Sequence, residues 1–237
     1  MLGVMPNRAT GVTWDRIAEP PANGDGSRLA SGGLSTQAIV DTAIALADVD
    51  GLDAVSIRRV ASVLGVRPMS LYTHIVSKDE LLALMANELV GTVIVEQPLP
   101  DDWREALTMI ARRQFRMFAS HPWLLPLFAR RPRHGPNATR QALQLTRAVE
   151  SLRLPPEDVW RLLAIVNDYV LGHAMRIATA GTAKDLVDNL SAEDRAALPE
   201  TDALSRVEET RLNDEAFELG YQTVLDGVER RFVTDRR

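Results

Sequence analysis

Between Ala54 and Lys78 the chain carries four cations, Arg58, Arg59, Arg67 and Lys78, and no acid. Ser70, Tyr72, Thr73 and His74 stand among them and supply hydrogen-bonding groups. Such a set suits a polyanion with readable edges. Guanidinium and ammonium groups neutralise phosphates, and an Arg fork fits the O6 and N7 acceptors of guanine. The whole chain has a net charge of −5, so any such attraction has to be local to this stretch. Catalytic chemistry is not legible. The four histidines, His74, His121, His134 and His173, show no His-Glu-x-x-His spacing, and there is no Gly-rich phosphate loop. With no Cys there is no thiol nucleophile, thiolate metal site or disulfide. The reading is of a non-enzyme with no cofactor and no metal.

These residues need elements to hold them. Ser35 caps a helix over about 36–49 with Val40, Ala43, Ile44 and Ala47 on its inner face, and Asp50-Gly51 ends it. Ser56 caps a second helix that buries Ile57, Val60, Ala61 and Leu64 and turns Arg58, Arg59 and Ser62 outward. Gly65 supplies the left-handed residue that stops it, and Pro68 opens a third helix over about 68–76. At 100° per residue Leu71 and Ile75 point inward, Met69 and Thr73 point outward, and Ser70, His74 and Tyr72 lie on the flanks. Helix, glycine turn and short helix with a polar outer face form a helix-turn-helix. Ser77 and Glu80 read as a capping box with Val76 and Leu81 as its staple, opening a fourth helix to about Glu96. Pro98-Leu99-Pro100 breaks that helix and marks a domain boundary.

The remainder is helical by the same periodicity, so the fold class is all-α. Helices are expected from Asp101 or Asp102 to about 120, from His121-Pro122 to about 130, over about 138–152, from Pro155-Pro156 to about 181, and over about 214–232 behind Asn213. Residues 1–33 read as a disordered tail, whose Arg8, Arg16 and Arg28 are cancelled by three acids. Residues 181–200 read as an acidic loop, and a short helix follows Thr201. No apolar run approaches a membrane span and the N-terminus lacks a signal-peptide core, so the chain reads as soluble and cytoplasmic.

Residues 34–91 resemble the DNA-binding domain of the tetracycline-repressor (TetR) family of bacterial regulators. The matching features are D-G-L after the first helix, S-I-R-R-V-A, L-G-V at the turn, S-L-Y-x-H in the third helix and K-D-E-L-L opening the fourth. FELGYQTVLDGVE near the end is similar to the tetracycline-repressor-like C-terminal subfamily. The resemblance implies three parts: the tail 1–33, a reader over 34–97, and an effector-binding and dimerisation domain over 98–237. It further implies a homodimer on a palindromic double-stranded operator, with repression relieved by a small molecule. A ligand-independent DNA-binding dimer and an activator share the same reader. Position by position, Arg58 falls where the family often contacts bases, Arg67, Pro68 and Ser70 where it faces the groove, Tyr72 and Lys78 where it meets phosphates, and His74 near backbone or base edges. Thr73 stands where tetracycline repressors carry Trp, and their His-rich ligand set has no counterpart, which counts against tetracycline–magnesium as the effector.

Each assignment has a plainer rival. Arg58 can be a solvated or ion-paired surface Arg, Tyr72 can shield the small core, and His74 can pack. Lys78 is the most telling, because a cation at a helix N-terminus opposes the macrodipole unless a phosphate is near. Candidate effector contacts are Met117, His121, Trp123, Phe128, Trp160, Asn167 and His173, each of which can instead be ordinary core. Asn167 and His173 lie in the most apolar helix, where a buried polar group needs a partner, either a ligand or a neighbouring carbonyl. The run Arg112, Arg113, Arg116, Arg130, Arg131, Arg133 reads as a solvated face, with a weak phosphate or acidic-ligand role as its alternative. Gly220 and Gly227, seven apart in the last helix, suggest close approach of another helix. With Val170, Ile177, Tyr221, Val224 and Val228 they suggest a four-helix dimer interface.

Overall fold

The structure is a computed structural model that describes residues 14, 34–96, 98–130, 135–179, 191 and 214–234. The expectations for nearly all of the 1–33 tail, for the loop beyond residue 180, for the helix after Thr201, for the Asn213 cap and for Arg131 and Arg133 lie outside those residues, as does the side chain of Arg130. Every regular element among the described residues is helical. The chain divides into two compact units, residues 1–94 with 123–142, and residues 95–122 with 143–237.

The first unit opens with α1 (Thr36–Asp50), capped where Ser35 Oγ accepts from the Ala38 N–H at 3.1 Å. It buries Ile39, Val40, Ala43 and Ala47; Ile39 takes the inward place expected of Ile44, which is half-buried. Gly51 (φ 80°) ends it. In α2 (Ile57–Val63) Ser56 Oγ accepts from the Arg59 N–H at 3.2 Å, and Val60 and Ala61 are buried while Ile57 and Leu64 are only half-buried. Gly65, at φ 68°, occupies the left-handed region that a side chain rarely enters, and the Val66 N–H reaches back to the Ala61 carbonyl at 3.0 Å.

The next helix is shorter than its periodicity suggests. α3 covers only Pro68–Leu71, and Tyr72 to His74 form a turn. Thr73 is part of the reason: its hydroxyl donates to the Ser70 carbonyl at 2.7 Å, a local bond that competes with helix continuation. α4 (Lys78–Val93) is likewise shorter than expected and differs in kind. Glu80 through Ala86 are all buried, so its first half is enclosed on every side instead of along one stripe. Ser77 Oγ accepts from the Glu80 N–H at 3.1 Å, but the Glu80 carboxylate takes the Val76 N–H in place of that of Ser77. The box is thereby shifted by one residue. The staple does not form either, because Val76 stays 57% exposed while Leu81 is fully buried.

Residues 123–142 complete this unit. A 3-10 turn (Pro122–Leu124) leads into α6 (Leu125–Arg130), and α7 (Pro136–Ala148) starts here and ends in the second unit. The Trp123 indole N–H donates to Asp48 Oδ1 at 2.7 Å. Asn137 is tied twice to Asn87 of α4, through its backbone N–H to Oδ1 (3.0 Å) and through Nδ2 to the backbone carbonyl (2.9 Å).

The second unit is built on α5 (Trp103–Ser120), α8 (Pro156–Thr179) and α9 (Asp214–Glu229), with α8 packed against both others. Asp102 caps α5, accepting from the Glu105 N–H at 2.9 Å. The end of α9 loosens into a wider π turn, Arg230–Thr234, that buries Phe232. The core is aliphatic around Leu107, Ile110, Leu162, Val166 and Val170 with an aromatic group of Phe115, Phe217 and Tyr221. Charged pairs lock α5 to α9: Arg104 with Asp226 and with Glu229 (2.8 Å), and Arg112 with Glu218 (2.8 Å). The Arg112 bond holds the Glu218 carboxyl below the usual carboxylate range.

Candidate nucleic-acid interface

The face computed from helical angles is present despite the shortened α3. Leu71 and Ile75 are fully buried, while Arg67, Pro68, Thr73 and Met69 (73%) are exposed. A four-residue helix has no stability of its own, so those two anchors hold it; full burial of each is worth about 1.5–3 kcal/mol. Tyr72 is 48% exposed, so about half of its surface is open to a partner. Ser70 and His74 are half-buried at the edge of the face, and Lys78 is exposed at the first position of α4.

The four cations of this stretch are not equivalent. Arg59 is bound to Asp50 at 2.6 Å, a half-exposed pair that spends its charge within the chain. Arg58, Arg67 and Lys78 are exposed and have no ion pair among the described residues. Lys78 stands at the positive end of α4, whose first turn also holds Asp79 and Glu80. The outcome is a small surface with three unpaired cations, a phenol and an exposed thioether, standing on a fully buried aliphatic base.

The candidate effector residues separate in the structure. Trp123 and Phe128 belong to the first unit, and Met117, His121, Trp160, Asn167 and His173 to the second. Trp160 is 64% exposed. Asn167 meets neither of its two expected partners there: its Oδ1 accepts from the side-chain amide of Gln114 (Nε2) at 2.8 Å. Met117 and Trp123 are buried, and His121 and Phe128 half-buried. His173 is different. It is 4% exposed, and its Nε2 has no hydrogen-bond partner among the described residues. Burial, helped by the nearby Arg176 charge, pushes its pKa below the ordinary histidine value. Among the described residues no group of three or more His, Asp or Glu side chains gathers to hold a metal ion.

The residues expected at a dimer interface also divide. Val170, Tyr221 and Val228 are buried within the chain's own core, where the Tyr221 hydroxyl donates to the Leu107 carbonyl at 3.3 Å. Gly220 makes room for Tyr169 of the same chain: a Cβ there would stand 2.1 Å from the Tyr169 hydroxyl, which donates to the Phe217 carbonyl at 3.1 Å. Ile177 and Val224 are half-buried and Gly227 is exposed, with nothing within 4 Å of a Cβ. Val224 and Gly227 line an open groove of about 570 Å³ with Ala164 and Ile165 of α8. Of the basic run, Arg112, Arg113 and Arg116 line a surface groove of about 740 Å³ that also holds Glu105 and Glu218. Sequence reasoning did not find the Arg59–Asp50 pair, the Trp123–Asp48 bond or the Asn87–Asn137 tie, because each joins residues from separate elements whose pairing no local pattern marks.

The family model described as bacterial regulatory proteins, tetR family, matches residues 39–85, and that described as tetracyclin repressor-like, C-terminal domain, matches residues 97–232. The chain belongs to the tetR family. It is a DNA-binding transcriptional regulator, and the exposed face of α3 lies inside the matched reader. It is 32% identical over 168 residues to the HTH-type transcriptional repressor DrrR1 of Streptomyces coeruleorubidus, a match that covers 70% of this chain and 60% of that protein. It is 27% identical over 221 residues to the HTH-type transcriptional repressor Rv1353c of Mycobacterium tuberculosis, covering 87% of this chain and 85% of the relative. Among solved structures it is similar to the TetR-family protein ActR of Streptomyces coelicolor in complex with actinorhodin, at 28% identity and a TM-score of 0.68, over 83% of this chain and 96% of that one. No helix among the described residues is long and apolar enough to cross a membrane.

Proposed function

We propose that this regulator is a cytoplasmic homodimeric repressor, not an enzyme, that leaves a palindromic operator when a small molecule binds its C-terminal half. In this reading residues 34–97 read DNA and residues 98–237 bind the effector and dimerise. Arg58 reaches base edges, Arg67, Pro68, Ser70 and Thr73 face the major groove, Tyr72 and Lys78 hold phosphates, and His74 lies at the border of the groove. The observation that carries the proposal is the set of three exposed, unpaired cations around a short helix whose inner side is wholly buried. The relatives are named repressors, and ActR binds actinorhodin, which supports an effector for this chain as well.

Dimerisation is supported by the open groove between α8 and α9, where Ile165 is 45% exposed beside Gly227. Release of DNA needs an effector that prefers the dimer shape with the wrong spacing of readers. Moving the population from 99:1 to 1:99 takes a differential affinity of about 5.5 kcal/mol. A gel shift on the DNA flanking its own gene tests the proposal. A shift at moderate salt that is lost in Arg58→Ala plus Tyr72→Ala is the expected result; no shift, or one the double variant leaves unchanged, overturns it.

A further inference from the structure

The outer side of α3 is apolar at its centre. Pro68 and Met69 open the helix and are exposed, and Met69 keeps 73% of its surface. Proline offers a hydrocarbon ring and no N–H, and a thioether has no proton to donate and is only a weak acceptor. Thr73 is exposed as well, but its one hydroxyl proton already goes to the Ser70 carbonyl at 2.7 Å. It therefore has no donor left for a base edge, and what it adds to the surface is chiefly its methyl group. Leu71 and Ile75 hold the element from the buried side, so the fold does not depend on the Met69 side chain.

A single exposed methionine means little by itself, since apolar side chains are common on protein surfaces. This one lies within the matched reader, with the exposed cation Arg67 two residues before it and the half-exposed phenol of Tyr72 three residues after. A cation or a phenol on that face has phosphates to meet; a thioether does not. The major groove displays hydrogen-bond donors, acceptors and one apolar group, the C5 methyl of thymine. Laid over any other base edge, Met69 would strip water from polar groups and give them no partner in return. Against a thymine methyl it costs no hydrogen bond, and its flexible, unbranched chain can adjust to the contact.

We infer that Met69 is a specificity-determining residue that reads a thymine methyl group in each half of the operator. Its selectivity is for the presence of that methyl and not for a pattern of donors and acceptors. The inference rests on the reading in which α3 enters the major groove, and it deepens that reading by naming the base feature recognised.

Footprinting on the DNA flanking its own gene locates the operator. Each thymine in it is then replaced by deoxyuridine, at the equivalent place in both half-sites, which removes the methyl and leaves every hydrogen-bonding group intact. Affinities of the full chain are measured by fluorescence anisotropy at fixed salt for the wild type, Met69→Ala and Met69→Leu. At one thymine position or more the wild type should bind the deoxyuridine operator about fifteenfold more weakly, from about fourfold for the methyl lost in each half-site. Met69→Ala should bind both DNAs alike at one of those positions, while Met69→Leu should keep most of the difference. The slope of log affinity against log salt should be unchanged in Met69→Ala, because no phosphate contact is removed, and urea melts of both variants should match the wild type. A scan in which no thymine is sensitive, or sensitivity that Met69→Ala leaves intact at every position, would overturn the inference. If the scan is flat while the wild type still binds its operator, the reader stands and only methyl recognition is wrong; if the wild type binds none of the flanking DNA, both fall.

Discussion

Replacing Lys78 by Ala should move stability and DNA affinity in opposite directions. In the free protein the ammonium is exposed at the first position of α4, where it opposes the helix dipole, so its loss should stabilise the fold by about 0.3–1 kcal/mol. In the proposed operator complex the same group neutralises a phosphate. Each phosphate contact contributes about −0.9 to the slope of log affinity against log salt, so removing the pair of lysines in a dimer should make the slope shallower by about 1.8. Between 50 and 200 mM salt that difference corresponds to a loss of affinity roughly twelvefold smaller in the variant than in the wild type. Fluorescence anisotropy of a labelled operator across that range measures the slope, and a urea melt measures stability. Arg59→Ala is the control, because Asp50 holds that guanidinium at 2.6 Å and its charge is spent within the chain. The reasoning is refuted if the Lys78→Ala slope equals that of the wild type, or if Arg59→Ala shifts it as far.

Leu71→Ala removes the anchor of a four-residue helix and should cost about 2–5 kcal/mol in a urea melt while abolishing operator binding; a variant that binds normally would show that α3 is held by something else. Gly220→Ala should lower the melting temperature, since its Cβ would collide with the Tyr169 hydroxyl and break the bond to Phe217. Gly227→Ala meets nothing among the described residues and should stabilise the α9 helix by about 0.5–1 kcal/mol; if the groove is the dimer interface, Gly227→Leu should also produce monomers in sedimentation. The depressed pKa of His173 predicts stability that is complete above the ordinary histidine value, about 6.5, and falls as the pH drops below it, because the unfolded chain then binds a proton that the folded one refuses. Melts at pH 7.5 and 5.5 should show a smaller difference in His173→Gln than in the wild type.

The sequence by itself determined which elements exist and which way the reader faces. Ser35, Ser56, Gly65, Pro68 and Ser77 set helix starts and stops through local backbone chemistry, and the spacing of Leu71 and Ile75 set the inner side of α3. Local rules act through neighbours in the chain, so they are legible there. Only the tertiary structure decided which polar groups are already spent. It paired Arg59 with Asp50 and Asn167 with Gln114, filled the space over Gly220 with Tyr169, and moved the Glu80 carboxylate onto Val76. It also enclosed α4 where the pattern showed a stripe, and turned Val170, Tyr221 and Val228 into the chain's own core. These outcomes depend on groups brought together from distant positions, or on packing that closes around a helix from several sides at once. A charge or an amide carries no mark of its partner in the sequence; among the described residues the fold leaves Lys78 without an ion pair and His173 Nε2 without a hydrogen-bond partner.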